Sequence, residues 1–283
     1  MRWADIDPII QAALDEDLPA GDVTSESLVP AGSVSSAVFL AKEPGVLAGI
    51  DVARRVFLKI DRGVRFKKRL EDGSTFGPGD VLAEVWGASL SLLKGERTAL
   101  NFLQRMSGIA TKTRRFVEAA GPRTRILDTR KTTPTLRRLE KYAVRMGGGR
   151  NHRFSLSDMV LIKDNHLQLV GSIKEAVRRA RAAAGPRLKI EVEVTNADGV
   201  REAVAAGADM IMLDNMPLAR MRRAVRELGG RVPVEVSGKV RLGQVRRIAR
   251  LGVDFISVGG LTHSYASVDI SLEFESDKRD GRK

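Results

Sequence analysis

The sequence predicts an α/β protein, in which an N-terminal α+β part is followed by a parallel sheet with helices outside it, either a barrel or a doubly wound sheet. Between residues 124 and 258, short apolar segments alternate with helical ones, a pattern typical of a parallel sheet covered by helices. The first 120 residues instead show short strands separated by Gly and Pro turns. With 283 residues, 43% of them hydrophobic, the chain is long enough for two such domains to bury a core.

Residues 1–120 are predicted to form an N-terminal α+β domain, including a long helix at its end. The chain opens with apolar residues at helical spacing, and strands are predicted at 35–42, 64–70 and 80–86. A long helix is predicted over 92–120, where one face is apolar and another carries a polar, mostly basic stripe that includes Arg105. Gly121 and Pro122 end this helix.

Residues 121–267 are predicted to form the parallel sheet and its helices. Its strands are expected at 124–127, 159–162, 188–192, 210–213, 234–236 and 255–258, and helices are expected to start near Pro134, Ser172, Asn196, Pro217 and Arg241. Residues 268–283 form a third segment. In it, a strand over 268–274 is predicted to return to the first domain, and a polar tail follows from Ser276.

Composition excludes several classes of protein. The chain has no cysteine, which excludes a disulfide scaffold, a Cys-ligated zinc or iron–sulfur site and a Cys nucleophile. No apolar run approaches the ~20 residues that span a bilayer. The N-terminal segment is amphipathic and acidic, unlike a signal peptide, so we expect a cytoplasmic protein without a membrane partner.

The net charge is +13, from 48 basic and 35 acidic residues. The basic residues are dispersed over predicted outer helix faces, which is typical of a solvated surface. A nucleic-acid partner is not expected, because the chain shows no recognisable nucleic-acid module and no aromatic residues interleaved with the basic ones. A positive field of this size would instead attract small anionic substrates.

Polar groups follow every predicted strand of the parallel sheet. The carboxyl ends of parallel strands are where active sites of barrels and open α/β sheets are built, so these groups predict an enzyme site. The groups are, in strand order, Asp128–Lys131, Lys163–His166, Glu193, Asp214 with Asn215, Ser237–Lys239, and Gly259 with Gly260.

These strand-end groups indicate the substrate chemistry. Arg130, Arg153 and Lys163, with His152 between them, predict a cationic pocket, and arginine pairs well with planar carboxylates. Several such cations indicate a substrate with more than one acidic function. The glycines of the last two loops suit a phosphate, since backbone N–H groups can approach it closely there.

Two carboxylates, Glu193 and Asp214, lie opposite this cationic group. They predict either Mg²⁺ that enters with a diphosphate or hydrogen bonds to sugar hydroxyls. A glycosidase-like acid pair would need no pocket of this charge. The chain also lacks the HExxH and GxSxG motifs and any Cys/His cluster, which argues against a protease, an esterase and a zinc enzyme.

The sequence resembles the quinolinate phosphoribosyltransferase family, the carboxylating nicotinate-nucleotide pyrophosphorylases. The similarity covers almost the whole chain in order. The stretches that carry it include GDVTSESL near 21–28, LKGERTALNFLQRMSGIAT at 93–111, LDTRKTTP at 127–134, LEKYAVRMGGGRNHR at 139–153, LIKDNH at 161–166, EVEV at 191–194, MLDNM at 212–216 and FISVGGLTHS at 255–264.

This resemblance implies a transferase of NAD biosynthesis. It would join quinolinate to phosphoribosyl diphosphate, with Mg²⁺, and release diphosphate and CO₂ to give nicotinate mononucleotide. It also implies a fold class in which an incomplete parallel α/β barrel of about six to seven strands follows an N-terminal α+β sandwich domain that is closed by the C-terminal strand. It further implies a homodimer or an oligomer of dimers in which the partner chain completes each site. A paralogous molybdenum-associated member of the superfamily is the alternative, although the intact set of cations favours quinolinate.

The resemblance also assigns roles to individual residues. It assigns quinolinate binding to Arg105, Thr129, Arg130, His152, Arg153 and Lys163, and it implies that Arg105 reaches the site of the partner subunit. Lys131, Glu193 and Asp214 are assigned to catalysis around the sugar and diphosphate, with Glu193 and Asp214 as metal ligands. Ser237, Gly238, Lys239, Val258, Gly259 and Gly260 are assigned to phosphate binding.

This chain departs from the family's common pattern at three positions. Thr135 stands where glycine is common, Lys239 where a small or amide residue is common, and Gly260 where alanine is common.

Overall fold

The structure is a computed structural model that describes residues 1–185 and 187–275. Numbered in chain order, its helices are α1 (Trp3–Asp17), α2 (Val23–Leu28), α3 (Ile50–Ile60), α4 (Ser89–Ala120), α5 (Arg137–Met146), α6 (Asp164–Val170), α7 (Ile173–Ala184), α8 (Ala197–Ala205), α9 (Leu218–Leu228), α10 (Leu242–Ala249) and α11 (Gly260–His263). Its strands are β1 (Val34–Ala41), β2 (Gly45–Val46), β3 (Arg65–Lys68), β4 (Thr75–Phe76), β5 (Val81–Ala88), β6 (Arg125–Leu127), β7 (Val160–Ile162), β8 (Ile190–Val194), β9 (Met210–Asp214), β10 (Val234–Ser237), β11 (Phe255–Ser257) and β12 (Ile270–Phe274).

The chain divides into two compact units. Unit 1 contains Met1–Lys112, Thr133–Gly148 and the described residues from Ser264 onward, and unit 2 contains Thr113–Thr132 and Gly149–His263. The segment 133–148, which the sequence analysis placed in the barrel, lies in unit 1. Side chains of α5 explain this placement, since the Tyr142 hydroxyl donates to Oδ2 of Asp72 at 2.7 Å.

Unit 1 is built on a four-stranded antiparallel sheet in the order β12-β1-β5-β3. The strand predicted near the C-terminus returns to this sheet, where Ile270 pairs with Ala41 of β1. Phe39 of β1 and Phe57 of α3 are fully buried and meet edge to face at 6.1 Å between ring centroids, which fixes the helix on the sheet. The sequence analysis did not predict α2, α3, β2 or β4.

Unit 2 is built on six parallel strands in the order β6-β11-β10-β9-β8-β7. In this order β6 pairs with β11, and the other four strands follow from β10 back to β7, as expected for a barrel. Among the described residues, β6 and β7 share no ladder, and this gap makes the barrel incomplete. The predicted fold class is therefore confirmed.

The barrel strands are buried on both faces. In β8, Ile190, Val192 and Val194 are buried, and so is Glu191 between them. All six strands begin within two residues of their predicted starts, whereas the short helices α6 and α11 were not predicted.

The predicted polar tail from Ser276 lies outside the described residues. No helix in the described ranges has the length and apolar character needed to cross a membrane.

Candidate functional site

The strands β8, β9 and β10 bring predicted catalytic and phosphate-binding residues to one edge of the barrel. Asp214 ends β9 and pairs in register with Ser237, which ends β10. Glu193 lies at the same end of the neighbouring strand β8. The Nζ of Lys163, directly after β7, lies 3.5 Å from Oε2 of Glu193. Four predicted site residues therefore meet at the carboxyl ends of adjacent strands.

The surroundings of the Glu193 carboxylate shift its pKa in opposite directions. Burial raises its pKa, the nearby charge of Asp214 raises it further, and Lys163 lowers it. Two partly buried carboxylates that repel each other are a donor set suited to a divalent cation with oxygen ligands. Glu193 and Asp214 thus fit the Mg²⁺ that the resemblance implies.

The loop after β6 carries Thr129 and Lys131 and meets the loop after β11. The Lys131 N–H donates to Oγ1 of Thr129 at 3.0 Å, and Oγ1 of Thr262 donates to the Lys131 carbonyl at 2.8 Å. A Cβ added at Gly259 would lie only 3.0 Å from Cδ of Lys131. A side chain at position 259 would force the Lys131 side chain to shift. The predicted catalytic lysine therefore packs against a predicted phosphate loop.

The loop after β10 needs glycine for two reasons. Gly238 has a φ of +97°, and a Cβ added there would lie 2.3 Å from Oδ1 of Asn215. Asn215 and Lys239 also have positive φ, at 49° and 46°. The backbone N–H of Asn215 donates to Ser237 at 3.1 Å, which holds the two strand ends together.

Two other residues predicted for phosphate binding follow β11. The backbone N–H of Val258 donates to Leu127 at 2.9 Å, so this donor is already used within the sheet. Gly260 begins the short helix α11.

Arg130 and Arg153 form a like-charged pair. Burial lowers the pKa of Arg153, and the positive charge of Arg130 lowers it further. Nη1 of Arg153 donates to the Met159 carbonyl at 3.2 Å, which fixes one edge of the guanidinium. Arg153 is partly buried and Arg130 is exposed. Two neighbouring cations that repel each other favour a bound anion, as predicted for a substrate with carboxylates.

His152 lies among buried carboxylates. Its Nε2 is 3.0 Å from Oε2 of Glu191 and 3.4 Å from Oε2 of Glu235. Its Nδ1 accepts the backbone N–H of Arg153 at 2.8 Å. Both ring nitrogens are therefore engaged within unit 2, and the predicted contact with quinolinate would require one of these bonds to open.

The ionisation of this group has opposing contributions. Burial lowers the pKa of His152, but the hydrogen bond to Glu191 and the neighbouring carboxylate of Glu235 raise that pKa by more. The Arg153 N–H opposes a second ring proton, because a nitrogen that accepts a hydrogen bond carries no proton itself. The observed hydrogen bonds thus correspond to a ring that carries its proton on Nε2. Burial is also the largest cause that raises the pKa of Glu191.

Sequence reasoning missed Glu191, Glu235 and their neighbour Ser257. A signal for two of them was present. Side chains two residues apart on a strand share a face, so Glu191 lies behind Glu193, and Glu235 lies behind Ser237.

Arg105 lies in unit 1, on α4. Its guanidinium is bound by the buried carboxylate of Glu140 and by the Thr133 hydroxyl, and it lies 5.0 Å from the ring centroid of Tyr265. Its assignment to quinolinate binding in the partner subunit stays a prediction.

Sequence comparison decides the family. The family model described as "Quinolinate phosphoribosyl transferase, N-terminal domain" matches residues 22–107, and the model of the corresponding C-terminal domain matches residues 109–273. This chain belongs to the quinolinate phosphoribosyltransferase family. The resemblance read from the sequence is thereby confirmed.

Relatives and solved structures agree with this membership. The chain is 45% identical to a probable nicotinate-nucleotide pyrophosphorylase [carboxylating] from Bacillus subtilis, over 91% of this chain and 89% of that protein. It is 45% identical to the nicotinate-nucleotide pyrophosphorylase [carboxylating] of Mycobacterium leprae, over 93% and 95% of the two chains. The structure of NadC from Streptococcus pyogenes matches with a TM-score of 0.94 at 43% identity, over 98% of this chain and 99% of that one. Nothing among these matches favours the molybdenum-associated alternative.

Proposed function

We propose that this chain transfers the phosphoribosyl group of phosphoribosyl diphosphate to quinolinate, with decarboxylation, in NAD biosynthesis. The products are nicotinate mononucleotide, diphosphate and CO₂. The proposal is supported by the names of close relatives, such as the quinolinate phosphoribosyltransferase [decarboxylating] of Nicotiana tabacum, which is 40% identical over 96% of this chain. The observation that carries it is the meeting of Lys163, Glu193 and Asp214 at the carboxyl ends of adjacent strands, with Nζ of Lys163 3.5 Å from Oε2 of Glu193.

Quinolinate binding falls to the cations. Arg130 and Arg153 pair with its two carboxylates, and Lys163 adds a third cation beside Glu193. Arg105 of the partner subunit completes the site in a homodimer or an oligomer of dimers. These contacts direct the pyridine nitrogen at the anomeric carbon of the sugar, which is mainly an effect of positioning.

The carboxylates and Lys131 act on the sugar and the leaving group. The bond from the anomeric carbon to diphosphate breaks, and positive charge develops on the sugar, where Glu193 and Asp214 stabilise it. Lys131 offsets negative charge on the departing diphosphate, and the glycine loops at Gly238 and Gly259 bind phosphate. Glu193 and Asp214 would hold Mg²⁺, which supplies further charge neutralisation when it is bound with the diphosphate.

Decarboxylation follows bond formation. Once the ring nitrogen is bonded to the sugar it is quaternary and can accept electrons. The electron pair of the C–CO₂ bond then stays on the adjacent ring carbon, and a proton from solvent replaces the departing CO₂. No covalent intermediate with the protein is needed. A cytoplasmic location stays a prediction.

The direct test is turnover by the purified full-length chain. With quinolinate, phosphoribosyl diphosphate and Mg²⁺, we expect nicotinate mononucleotide, and omission of any one of the three should abolish it. If no nucleotide forms from quinolinate with Mg²⁺ present, the proposal is wrong.

A further inference from the structure

The proposed function leaves a buried polar network in the barrel interior without a role. Glu191 of β8 and Glu235 of β10 are fully buried, and both face the imidazole of His152. Ser257 of β11 is also buried, and its hydroxyl donates to Oε1 of Glu235. The network thus joins three strands below the carboxyl end of the barrel.

This network is costly for the fold. Among the described residues, Oε1 of Glu191 and Oε2 of Glu235 are buried without a hydrogen-bond partner. Apolar side chains of similar volume would fill the same space without desolvating two carboxylates. The positions therefore serve a purpose other than stability.

The contacts of the other ring nitrogen of His152, Nδ1, and of the adjacent backbone indicate this purpose. Nδ1 of His152 accepts the backbone N–H of Arg153 at 2.8 Å, and the backbone N–H of His152 donates to Oδ1 of the buried Asp128 at 2.9 Å. Asn151 also donates to the Asp128 carboxylate, at 2.5 Å. These bonds fix the backbone from Asn151 to Arg153, and with it the starting direction of the Arg153 side chain.

A metal ion is the other reading of this cluster, since one ligand atom from each of His152, Glu191 and Glu235 lies within 4.8 Å of the others. The hydrogen bonds do not fit that reading. A neutral imidazole that binds a metal through Nε2 carries its proton on Nδ1. Nδ1 here accepts the Arg153 N–H, and the ring proton therefore lies on Nε2, facing the carboxylates.

We infer that Glu191 and Glu235 are positioning residues for substrate recognition: they hold His152 so that its Nδ1 orients the Arg153 backbone and directs the Arg153 guanidinium at a carboxylate of the substrate. The inference rests on the proposed function, because it deepens the role of Arg153. It assigns His152 to the support of the site rather than to contact with quinolinate.

The test is a double-mutant cycle between Glu191 and Arg153, measured in the full-length chain. Glu191→Leu removes the acceptor for the ring N–H and should raise KM for quinolinate by about 10-fold, as expected when a binding group is misplaced. KM for phosphoribosyl diphosphate should change by less than about 2-fold. Glu191→Gln, whose amide oxygen can still accept, should restore most of the loss. In an Arg153→Ala background, Glu191→Leu should have almost no further effect on KM for quinolinate, because the group that it positions is gone.

Two further variants keep this test decisive. Asp209→Asn is the matched control, because Asp209 accepts the backbone N–H of Ile190 at the opposite end of β8 and supports only the fold there. It should lower the melting temperature without raising KM for quinolinate. Asp128→Asn disturbs the other anchor of the segment and should reproduce the selective rise, which gives a result even if Glu191→Leu fails to fold.

The outcomes separate the inference from the proposed function. A wild-type chain that does not turn over quinolinate contradicts the proposed function itself. If the wild type is active but Glu191→Leu raises KM for quinolinate by the same factor with and without Arg153→Ala, the positioning role is wrong. One equivalent of tightly bound metal in the purified wild type, lost in Glu191→Gln, would overturn the inference in favour of the metal site.

Discussion

The Lys163 ammonium lies 3.5 Å from the Glu193 carboxylate, between a cation predicted to bind quinolinate and an acid predicted to act on the sugar. Lys163 directly follows β7, and Glu193 is the second-last residue of the neighbouring strand β8. We therefore propose that the pyridine and the sugar meet where this pair lies. Because Lys163 lowers the pKa of Glu193 against the effects of burial and of Asp214, it also helps to keep the acid ionised.

The first prediction concerns Asp214. Asp214→Asn keeps the shape of the side chain but removes a charge that is proposed to stabilise the developing sugar cation. We expect kcat to fall by about 100-fold, a typical cost of losing one such electrostatic contact, and KM for quinolinate to change little. Steady-state kinetics with each substrate varied in turn will measure both. A variant with normal kcat and weaker quinolinate binding would show that the role is assigned wrongly.

The second prediction concerns the loop after β10. Gly238→Ala adds a Cβ that would lie 2.3 Å from Oδ1 of Asn215, so the loop must move. We expect KM for phosphoribosyl diphosphate to rise by about 10-fold or more, since this loop is predicted to bind phosphate. Gly252→Ala is the control, because Gly252 also has positive φ, +86°, but has no neighbour within 4 Å of the added atom. Equal kinetic effects of the two substitutions would argue against a phosphate site at Gly238.

The third prediction concerns Thr135, which occupies a position where the family commonly has glycine. The residue is exposed and has a φ of 69°, which is unfavourable for a β-branched side chain by about 1–2 kcal/mol. Thr135→Gly removes that strain but increases the conformational entropy of the unfolded chain, which offsets part of the gain. We therefore expect a net gain of about 0.5–1 kcal/mol in the free energy of unfolding. Urea titration will measure it. Thr135→Ala keeps a Cβ and should gain less, and an equal gain from both variants would contradict this explanation.

The fourth prediction tests whether Arg105 acts across a subunit interface. If it does, Arg105→Ala damages the partner's site, whereas Lys163→Ala damages the site of its own chain. A mixed dimer then has one site with both defects and one intact site. Random pairing of equal amounts leaves about half of the dimers mixed, so activity should recover to roughly a quarter of the wild-type value.

The measurement is turnover before and after denaturing, mixing and refolding the two inactive variants, with subunit exchange followed by a mass tag. Each variant refolded alone is the control. If subunit exchange is confirmed but activity does not recover, Arg105 acts in the site of its own subunit or in no site.

The barrel and the strand-end groups could be predicted because both follow from local patterns. Continuous apolar strands separated by helices require a parallel sheet, and the carboxyl ends of such strands meet. Glu193, Asp214 and Ser237 were found in this way, and the structure brings them to one edge.

Other features depend on contacts between distant parts of the chain. No local pattern shows that the segment with α5 packs in unit 1, because this depends on bonds such as that from Tyr142 to Asp72, 70 residues away in sequence. Glu191 and Glu235 were missed because a buried carboxylate is unfavourable until its partner is known. That partner, His152, lies 39 residues before Glu191.

The most direct test of this account compares quinolinate with nicotinate as the acceptor. The cations are proposed to recognise the two carboxylates of quinolinate. Nicotinate has only one carboxylate, so one cation of the site stays unpaired, at a cost of ~2–5 kcal/mol for a desolvated charged pair. We therefore expect kcat/KM for quinolinate to exceed that for nicotinate by at least about 30-fold, with one CO₂ released for each nicotinate mononucleotide formed from quinolinate. Comparable kcat/KM values for the two acceptors would contradict the account.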